Sequence, residues 1–395
     1  MEIDKDKLKN FLTSIKNKTN ITATELIEKD FYLNILLSKL NFEEYVFKGG
    51  TCLAKAYLDY FRFSEDLDFT FINQKLWEGK STKSIKKVCK EKIDAFGEQL
   101  KKVGFDFKFD KSDRNFVEIG NNNKLVTFKV YYDSVLTGKP SFIKIQINFL
   151  EKIIFTPQTR ELNPLIKLNQ FTKEDQIYFK EFLDFYKTIT MKVYDLKEIV
   201  TEKFRSILTR KAIKSRDAID LLFIYQKFKI KPQNLLKETK EKLLYSINSY
   251  EKYKDNLILA RDKLQILEFQ YSEVRPLVIK PFNKDDFDKY VEELKPLWRY
   301  KIESDGKKDG ESGCKLRVWD SRGRSSNWMQ SVPDFLPSAV EANARGGSFF
   351  DMEGTTVYYN LKKDSVDPKF LLTPEARKFV VDSIENKWTS KYFVK

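Results

Sequence analysis

The chain has 395 residues, of which 41% are hydrophobic, and it carries a formal net charge of +14 without a single histidine. The lack of histidine excludes Ser-His-Asp triads and histidine general bases, so group-transfer chemistry must use carboxylates, lysine or an oxygen-bound metal. The positive charge favours a polyanionic partner such as nucleic acid, with solvated lysine faces as the alternative.

Length and cysteine content limit the class of protein further. A chain of this size can bury a core and form two or three domains. The sequence has no run of about 18 apolar residues, and its first residues, "MEIDKDKLKN", lack the apolar segment of a signal peptide. The three cysteines are odd in number and widely spaced, as is typical of a reducing compartment. We therefore expect a cytoplasmic protein without a membrane span.

The elements in chain order predict an α/β (α+β) fold with a mixed sheet. Residues 1 to about 45 have helical spacing, and "YVF" then leads into a glycine pair. A helix, "TCLAKAYLDYF", and a strand, "DLDFTFI", follow, and the next amphipathic helix is "VCKEKIDAFGEQLKKVG". Three strand-like runs come next, "DFKFD", "LVTFKVYYDS" and "FIKIQINFL", and the pattern is helical from about Glu174 to Tyr300.

This order predicts three domains, with boundaries after residues 172 and 300. Residues 1–172 would form the mixed sheet with its flanking helices, and residues 173–300 a helical domain. Residues 301–395 form a turn-rich extension of unknown role, whose 16 basic and 14 acidic residues leave a net charge of only +2. Its stretch "KLRVWDSRGRSSNW" is a candidate for contact with RNA, and a structural tryptophan pair is the alternative. The candidate residues are Arg317, Trp319, Arg322, Arg324 and Trp328.

The stretch "FKGGT", residues 47–51, places two glycines directly before a predicted helix. Glycine lets the backbone approach a ligand closely, and the free N–H groups of a helix N-terminus favour phosphate. The pattern indicates a phosphate site, with an ordinary strand-to-helix turn as the alternative. The candidate nucleotide-binding residues here are Lys48, Gly49, Gly50, Thr51 and Lys55.

The stretch "SEDLDFTF", residues 64–71, predicts a strand on which alternate side chains share a face. Asp66 and Asp68 would then point the same way, about 7 Å apart, and converge on a hard cation such as Mg²⁺ or Mn²⁺. A half-exposed edge strand with solvated acids is the alternative. Arg62 and Ser64, just before the strand, are further candidates for nucleotide binding, and Arg62 is expected to pair with Asp66.

Four stretches taken in order resemble the AbiEii/AbiGii type IV toxin family, within the polymerase-β-like nucleotidyltransferases. They are "EKDF" (28–31), "FKGGTCLAKAY" (47–57), "RFSEDLDF" (62–69) and "YDLKEIVTEKFRSILTRKAIKSRDAIDLL" (194–222). The resemblance spans about residues 25–225 and finds no counterpart beyond about residue 300. It implies a glycine turn on nucleotide phosphates, strand acids that hold magnesium, and a toxin with a cognate antitoxin.

The resemblance also assigns active-site roles on the predicted helices after residue 194. The lysine of its "EK" motif matches Lys203 and the aspartate of "RD" matches Asp217, with Asp220 as a second, more structural aspartate. Lys203 would neutralise the nucleotide phosphates with help from Arg210, and an aspartate would orient Lys203 or the attacking hydroxyl. Solvated helix faces with an Arg216–Asp220 pair are the alternative.

One position departs from the pattern of many polymerase-β-like enzymes, which place a third carboxylate on a following strand. The polar face of "FIKIQINF" (142–149) carries Lys144, Gln146 and Asn148, and therefore no acid. If Gln146 takes that place, we expect a single Mg²⁺ on Asp66 and Asp68 instead of two metals.

These observations predict a magnesium-dependent nucleotidyltransferase whose catalytic residues are Asp66, Asp68, Lys203 and Asp217. It would transfer a nucleoside monophosphate from a nucleoside triphosphate to an acceptor hydroxyl and release pyrophosphate. The resemblance implies a tRNA 3′ end as acceptor and a role in a toxin–antitoxin or phage-defence pair. One alternative is a protein or small-molecule acceptor, and another is a basic RNA-binding module whose acids are remnants.

Overall fold

The computed structural model describes residues 3–210, 214–249, 253, 256 and 271–294, and the backbone of short strands after residue 299. The chain divides into two compact units, Met1–Glu293 and Leu294–Lys395. The boundary expected after residue 172 is not a boundary here, because a strand and several helices beyond it pack into the first unit. The division between the two units, at residues 293 and 294, lies close to the domain boundary that was predicted after residue 300.

The first unit is built on a mixed seven-stranded sheet in the order β3-β4-β5-β2-β1-β7-β6, in agreement with the predicted fold class. The strands are β1 Tyr45–Lys48, β2 Asp66–Phe71, β3 Val117–Gly120, β4 Leu125–Asp133, β5 Pro140–Asn148, β6 Gln158–Leu162 and β7 Ile189–Val193. Pairs β2–β5 and β1–β7 are parallel, and the other neighbouring pairs are antiparallel.

The helices of this unit flank the sheet. They are α1 Lys5–Thr19, α2 Thr24–Lys39, α3 Gly49–Ala56, α4 Thr82–Val103, α5 Lys173–Tyr178, α6 Lys180–Leu183, α7 Leu196–Thr209, α8 Ser215–Phe228 and α9 Leu236–Ser249, followed by helices Tyr271–Val274 and Lys284–Leu294. No helix in the described part of the chain is long and apolar enough to cross a membrane.

Alternation along β2 separates an apolar face of the sheet from a polar one. Leu67, Phe69 and Phe71 are buried on the apolar face, where the Phe69 ring stacks on Phe42 at 4.2 Å. Phe96 of α4 packs against Phe42 on the same face, which therefore forms the main core. The opposite face carries Asp66, Asp68 and Thr70, and α7 lies against it.

Several predicted elements differ from the structure. "DFKFD" forms no strand, and only Asp106 of this stretch bridges to Tyr131. The predicted helix after the glycines ends at Ala56, because Asp59 and Tyr60 adopt positive φ angles of 47° and 51°. Strands β6 and β7 were not predicted, since both are short, and the residues of β6 before Leu162 are exposed and polar.

The second unit contains two small antiparallel sheets. Its strands are β8 Tyr300–Ser304, β9 Gly313–Trp319, β10 Ser325–Ser326, β11 Val332–Pro333, β12 Gly347–Phe350, β13 Thr356–Asn360, β14 Ser365–Val366 and β15 Phe393–Val394. Strands β8–β11 form one sheet and β12–β15 the other. The predicted arginine–tryptophan cluster lies outside the residues whose side chains the structure describes.

Candidate active site

The two glycines form a corner between β1 and α3 that packs directly on polar side chains. Gly49 begins α3 with a φ of +78°, and a Cβ there would lie 3.0 Å from Cβ and Cγ of Asp68 and closer still to Oδ2. A Cβ on Gly50 would lie 2.6 Å from Nη2 of Arg62 and 2.7 Å from Oγ of Ser64. Glycine is required at both positions because any side chain would displace these groups.

Replacing Gly49 by alanine should therefore destabilise the protein and displace the Asp68 carboxylate. We expect a loss of more than about 2 kcal/mol, since the clash adds to the cost of a left-handed alanine. Gly79→Ala is the matched control, because Gly79 has a φ of +69° and nothing within 4 Å of its Cβ position. Urea unfolding of both variants measures the difference, and equal losses would contradict the close packing at Gly49.

Thr51 connects the glycine corner to the strand of acids. Its Oγ1 donates a hydrogen bond to the main-chain carbonyl of Asp66 at 2.6 Å, and the side chain is buried. This bond holds the first turn of α3 against the start of β2. The two halves of the predicted phosphate and metal site are therefore joined by a contact between residues 15 positions apart.

Asp68 lies in the middle of a row of polar side chains across the sheet. Lys48 is its partner on antiparallel β1, and Gln146 is its partner on parallel β5, so all three share one face. Asp66 is partnered by the exposed Lys144 in the same way. Gln146 thus occupies the neighbouring-strand position beside Asp68, with an amide in place of an acid.

The surroundings of Asp68 raise the pKa of its carboxyl group, which therefore keeps its proton to a higher pH than an exposed aspartate does. Burial raises the pKa of this carboxyl from 3.8 to about 6, against the lowering effect of the Lys48 ammonium. The Asp66 and Glu202 carboxylates also contribute to this net rise, and the Arg210 guanidinium opposes it. An ionised Asp68 is therefore incompletely compensated by the protein and would be stabilised by a bound cation.

The donor set here fits one hard cation. Asp66 and Asp68 are partly exposed on the same face of β2, and the Gln146 side chain beside them ends in an amide oxygen. Within the described residues there is no group of three or more aspartate, glutamate, cysteine or histidine side chains that could hold a metal. The arrangement fits a magnesium ion that keeps several water or phosphate ligands.

A second cluster joins α7 and α8 through buried ion pairs. Nζ of Lys203 lies 3.1 Å from Oδ1 of Asp217 and also contacts Asp220. The Arg210 guanidinium contacts Oδ2 of Asp217. Burial alone would raise the pKa of Asp217, but the Lys203 and Arg210 cations lower it to about 2. Asp217 therefore stays ionised and paired, which suits a positioning group better than a general base at neutral pH.

Two side-chain contacts and one electrostatic effect link these helices with the sheet. Nζ of Lys48 donates to Glu202 of α7 at 2.9 Å. Arg62, just before β2, pairs with Asp220 of α8, which also contacts Lys203. The charge of Arg210, the partner of Asp217, acts on Asp68. The glycine corner, the strand acids and the helical cations therefore converge on one corner of the fold.

Two predicted nucleotide-binding residues have other partners. Lys55 is 1% exposed, and its Nζ donates to Asp30 at 2.8 Å and to Asn34 at 2.7 Å, so it supports the packing of α3 on α2. Its expected contact with phosphates is wrong, because the amine is enclosed by these groups. Arg62 pairs with Asp220 instead of Asp66, since its side chain turns toward α8.

The site also includes a buried charge network that sequence reasoning did not assign. Lys242 of α9 contacts Glu198 of α7 and lies 3.8 Å from Glu202, while Glu151 lies 3.8 Å from Nζ of Lys48. Oε2 of Glu198 also accepts the main-chain N–H groups of residues 154 and 155. The four-residue spacing of Glu198 and Glu202 was the one available signal, because Lys242 and Glu151 are distant in sequence.

A family model described as the nucleotidyl transferase AbiEii toxin of type IV toxin–antitoxin systems matches residues 33–297. The chain belongs to this AbiEii family. It is therefore a nucleotidyltransferase, and membership in a toxin–antitoxin family implies a nucleotide substrate and an antitoxin partner. The match includes the glycine corner, both strand aspartates and all of α7 and α8.

Two solved structures from Helicobacter pylori are also similar to this AbiEii-family chain. JHP933 is 15% identical, with 71% of this chain and 94% of that chain covered at a TM-score of 0.29. A protein described as a nucleotidyltransferase is 16% identical, with 69% and 94% covered at a TM-score of 0.29. No curated protein matches the chain.

Proposed function

We propose that this AbiEii-family toxin transfers a nucleoside monophosphate from a nucleoside triphosphate to the 3′-terminal hydroxyl of a tRNA. The observation that carries this proposal is that contacts join the glycine corner both to Asp68, on which Gly49 packs, and to Lys203, through Arg62 and Asp220. An acceptor oxygen forms a bond to the α-phosphorus, the bond to the β-phosphate bridge breaks, and pyrophosphate leaves. The hydroxyl proton leaves to water or to a substrate phosphate.

The roles of the residues follow from their surroundings. The first turn of α3, which begins at Gly49, offers free N–H groups to phosphate oxygens. Lys203 and Arg210 would neutralise negative charge that develops on the leaving pyrophosphate, and Asp217 holds both cations in place. Magnesium held by Asp66 and Asp68 would supply further charge neutralisation at the phosphates. Positioning and electrostatics therefore account for the chemistry this chain must provide.

An RNA acceptor is also supported by a lysine-rich face of α4, a helix that lies across the sheet from Asp66 and Asp68. Lys83, Lys87 and Lys90 are exposed at helical spacing, and in the described part of the chain none of them forms an ion pair. Exposed Lys80 and Lys86 lie close to them in sequence. Such a stripe offers several phosphate contacts along one helix, as nonspecific RNA binding requires.

The triple variant Lys83→Gln, Lys87→Gln, Lys90→Gln should weaken tRNA binding and its salt dependence. We expect the slope of log affinity against log salt to fall by about 2 to 3, because each lost phosphate contact removes about one unit. The control is Lys5→Gln, Lys9→Gln, Lys16→Gln on α1, which removes the same charge from other exposed lysines. Equal slopes for the two variants in filter-binding titrations would contradict a dedicated RNA face.

The decisive test of the proposed function is transfer of label to total tRNA. The protein is incubated in Mg²⁺ with each α-labelled triphosphate in turn, and the products are separated on gels. Label should enter intact tRNA and should not enter tRNA whose 3′ ribose has been oxidised with periodate. If label enters a protein band or a small molecule and tRNA stays unmodified, the acceptor is a protein or a small molecule and the RNA acceptor is ruled out. Asp68→Asn protein serves as the inactive control.

A further inference from the structure

Arg62 is an almost fully enclosed cation of the site. Its side chain is 2% exposed, and Nε and Nη2 donate to the two carboxylate oxygens of Asp220 at 2.6 and 2.7 Å. Nη1 donates to the main-chain carbonyl of Phe63 at 2.7 Å, and Gly50 packs on Nη2. This bidentate geometry is the strongest form of a guanidinium–carboxylate pair, and it directs the charge of Arg62 at Asp220.

The backbone around Arg62 is held from the opposite side. Phe63 donates its N–H to the carbonyl of Leu277 at 2.8 Å, and the N–H groups of Ile279 and Lys280 donate to the carbonyl of Phe61. The guanidinium cannot move toward a nucleotide without breaking its bonds to the fully buried Asp220 carboxylate and to the Phe63 carbonyl. Arg62 is thus built into the protein core and is poorly placed to follow a substrate.

Asp220 is the point at which Arg62 and Lys203 meet. The Oδ2 atom of Asp220 accepts from Nη2 of Arg62 and is also in contact with Nζ of Lys203. Arg62, Lys203 and Arg210 bring three positive charges to the two carboxylates of Asp217 and Asp220. The bidentate pair with Arg62 can balance the charge of Asp220 by itself, so the three cations of the cluster exceed its two carboxylates by one positive charge.

We propose that Arg62 is a positioning residue that neutralises Asp220 and thereby leaves Lys203 available for the triphosphate. This inference rests on the proposed nucleotide transfer. Lys203 already contacts Asp220 beside Arg62. Without Arg62, the buried Asp220 carboxylate would depend on that ammonium for its charge balance and would hold it more tightly, away from the phosphates. Arg62 then acts on the reaction through Asp220 and Lys203 and makes no contact with the nucleotide itself.

The test is a comparison of Arg62→Gln, Arg62→Lys and the double variant Arg62→Gln/Asp220→Asn. Binding of each nucleoside triphosphate in Mg²⁺ and the kcat and KM of transfer are measured, with thermal unfolding to set an assay temperature at which all are folded. Arg62→Gln should lower kcat/KM about 10- to 100-fold. Arg62→Lys, which keeps the charge but loses the bidentate geometry, should retain more activity than Arg62→Gln. The double variant should return to within about fivefold of wild type, because neither charge is left to capture Lys203.

The outcomes separate this inference from the proposed function. Rescue in the double variant is expected only if Arg62 acts by neutralising Asp220. If Arg62 instead binds phosphate directly, the double variant will be as inactive as Arg62→Gln or worse, and the inference is overturned while wild-type transfer stands. A wild-type protein that neither binds nor transfers any triphosphate overturns the proposed function and this inference with it.

Discussion

Replacing Asp68 by asparagine should abolish nucleotide transfer and at the same time stabilise the metal-free protein at neutral pH. We expect transfer to fall about a thousandfold or more, because the substitution removes a carboxylate that would hold the metal and leaves its shape unchanged. A gain in stability from the loss of a functional group is typical of residues retained for activity.

The sign of the stability change follows from the pKa of Asp68. The folded protein raises this pKa from 3.8 to about 6, so it binds the proton more tightly than the unfolded chain does. The favourable contribution of protonated Asp68 is complete below about pH 4 and is lost as the pH rises through about 6. Asp68→Asn should therefore be more stable than wild type by about 1 to 3 kcal/mol at pH 7.5, and equally stable near pH 4.

Urea unfolding in a chelator, from pH 4 to pH 8, measures this difference. Adding Mg²⁺ should then stabilise the wild type and leave Asp68→Asn unchanged, because only the folded wild type presents both carboxylates. Asp288→Asn is the control, since Asp288 is an exposed acid on a helix and is paired with Lys284. An asparagine variant less stable than wild type at pH 7.5, or one that keeps its transfer activity, would contradict the role given to Asp68.

The second large effect is expected for Asp220→Ala, which should destabilise the protein by about 3 to 5 kcal/mol. Asp220 is fully buried and contacts both Arg62 and Lys203, so its removal leaves Arg62 as a buried cation without a carboxylate partner. Most of the lost stability therefore comes from the Arg62 guanidinium, which remains buried without a carboxylate to balance its charge.

Asp288→Ala is the matched control for this prediction. It also removes an aspartate from an ion pair, but Asp288 and Lys284 are both exposed on one helix, and the change should cost no more than about 1 kcal/mol. The free energy of unfolding in urea measures both variants. If Asp220→Ala costs as little as Asp288→Ala, the buried Arg62–Asp220 pair does not support the site as described.

Local sequence patterns were sufficient to predict the elements that carry the strand aspartates and the glycine pair. Alternation in "DLDFTF" predicted a strand with Asp66 and Asp68 on one face, and the structure contains that strand as Asp66–Phe71. The polar face of the following strand predicted Gln146 as the neighbour of these acids, and parallel pairing puts it beside Asp68. These predictions need only the twofold repeat of a strand.

The partners of the buried charges were decided by the tertiary structure. Lys55 and Lys203 both follow a helical pattern, yet Lys55 is held by Asp30 and Asn34 on the apolar side of the sheet, whereas Lys203 contacts Asp217 and Asp220. Spacing along a helix states which residues share its face but does not state what that face packs against.

The sequence by itself determined the sheet class, the glycine corner, the strand acids and the excess of positive charge. Only the tertiary structure decided that Arg62 pairs with an aspartate 158 positions away and that β7 and α7 complete the first unit. The physical reason is that a strand or helix repeat is written in consecutive residues. A buried ion pair, in contrast, depends on which distant surfaces the folded chain removes from water together.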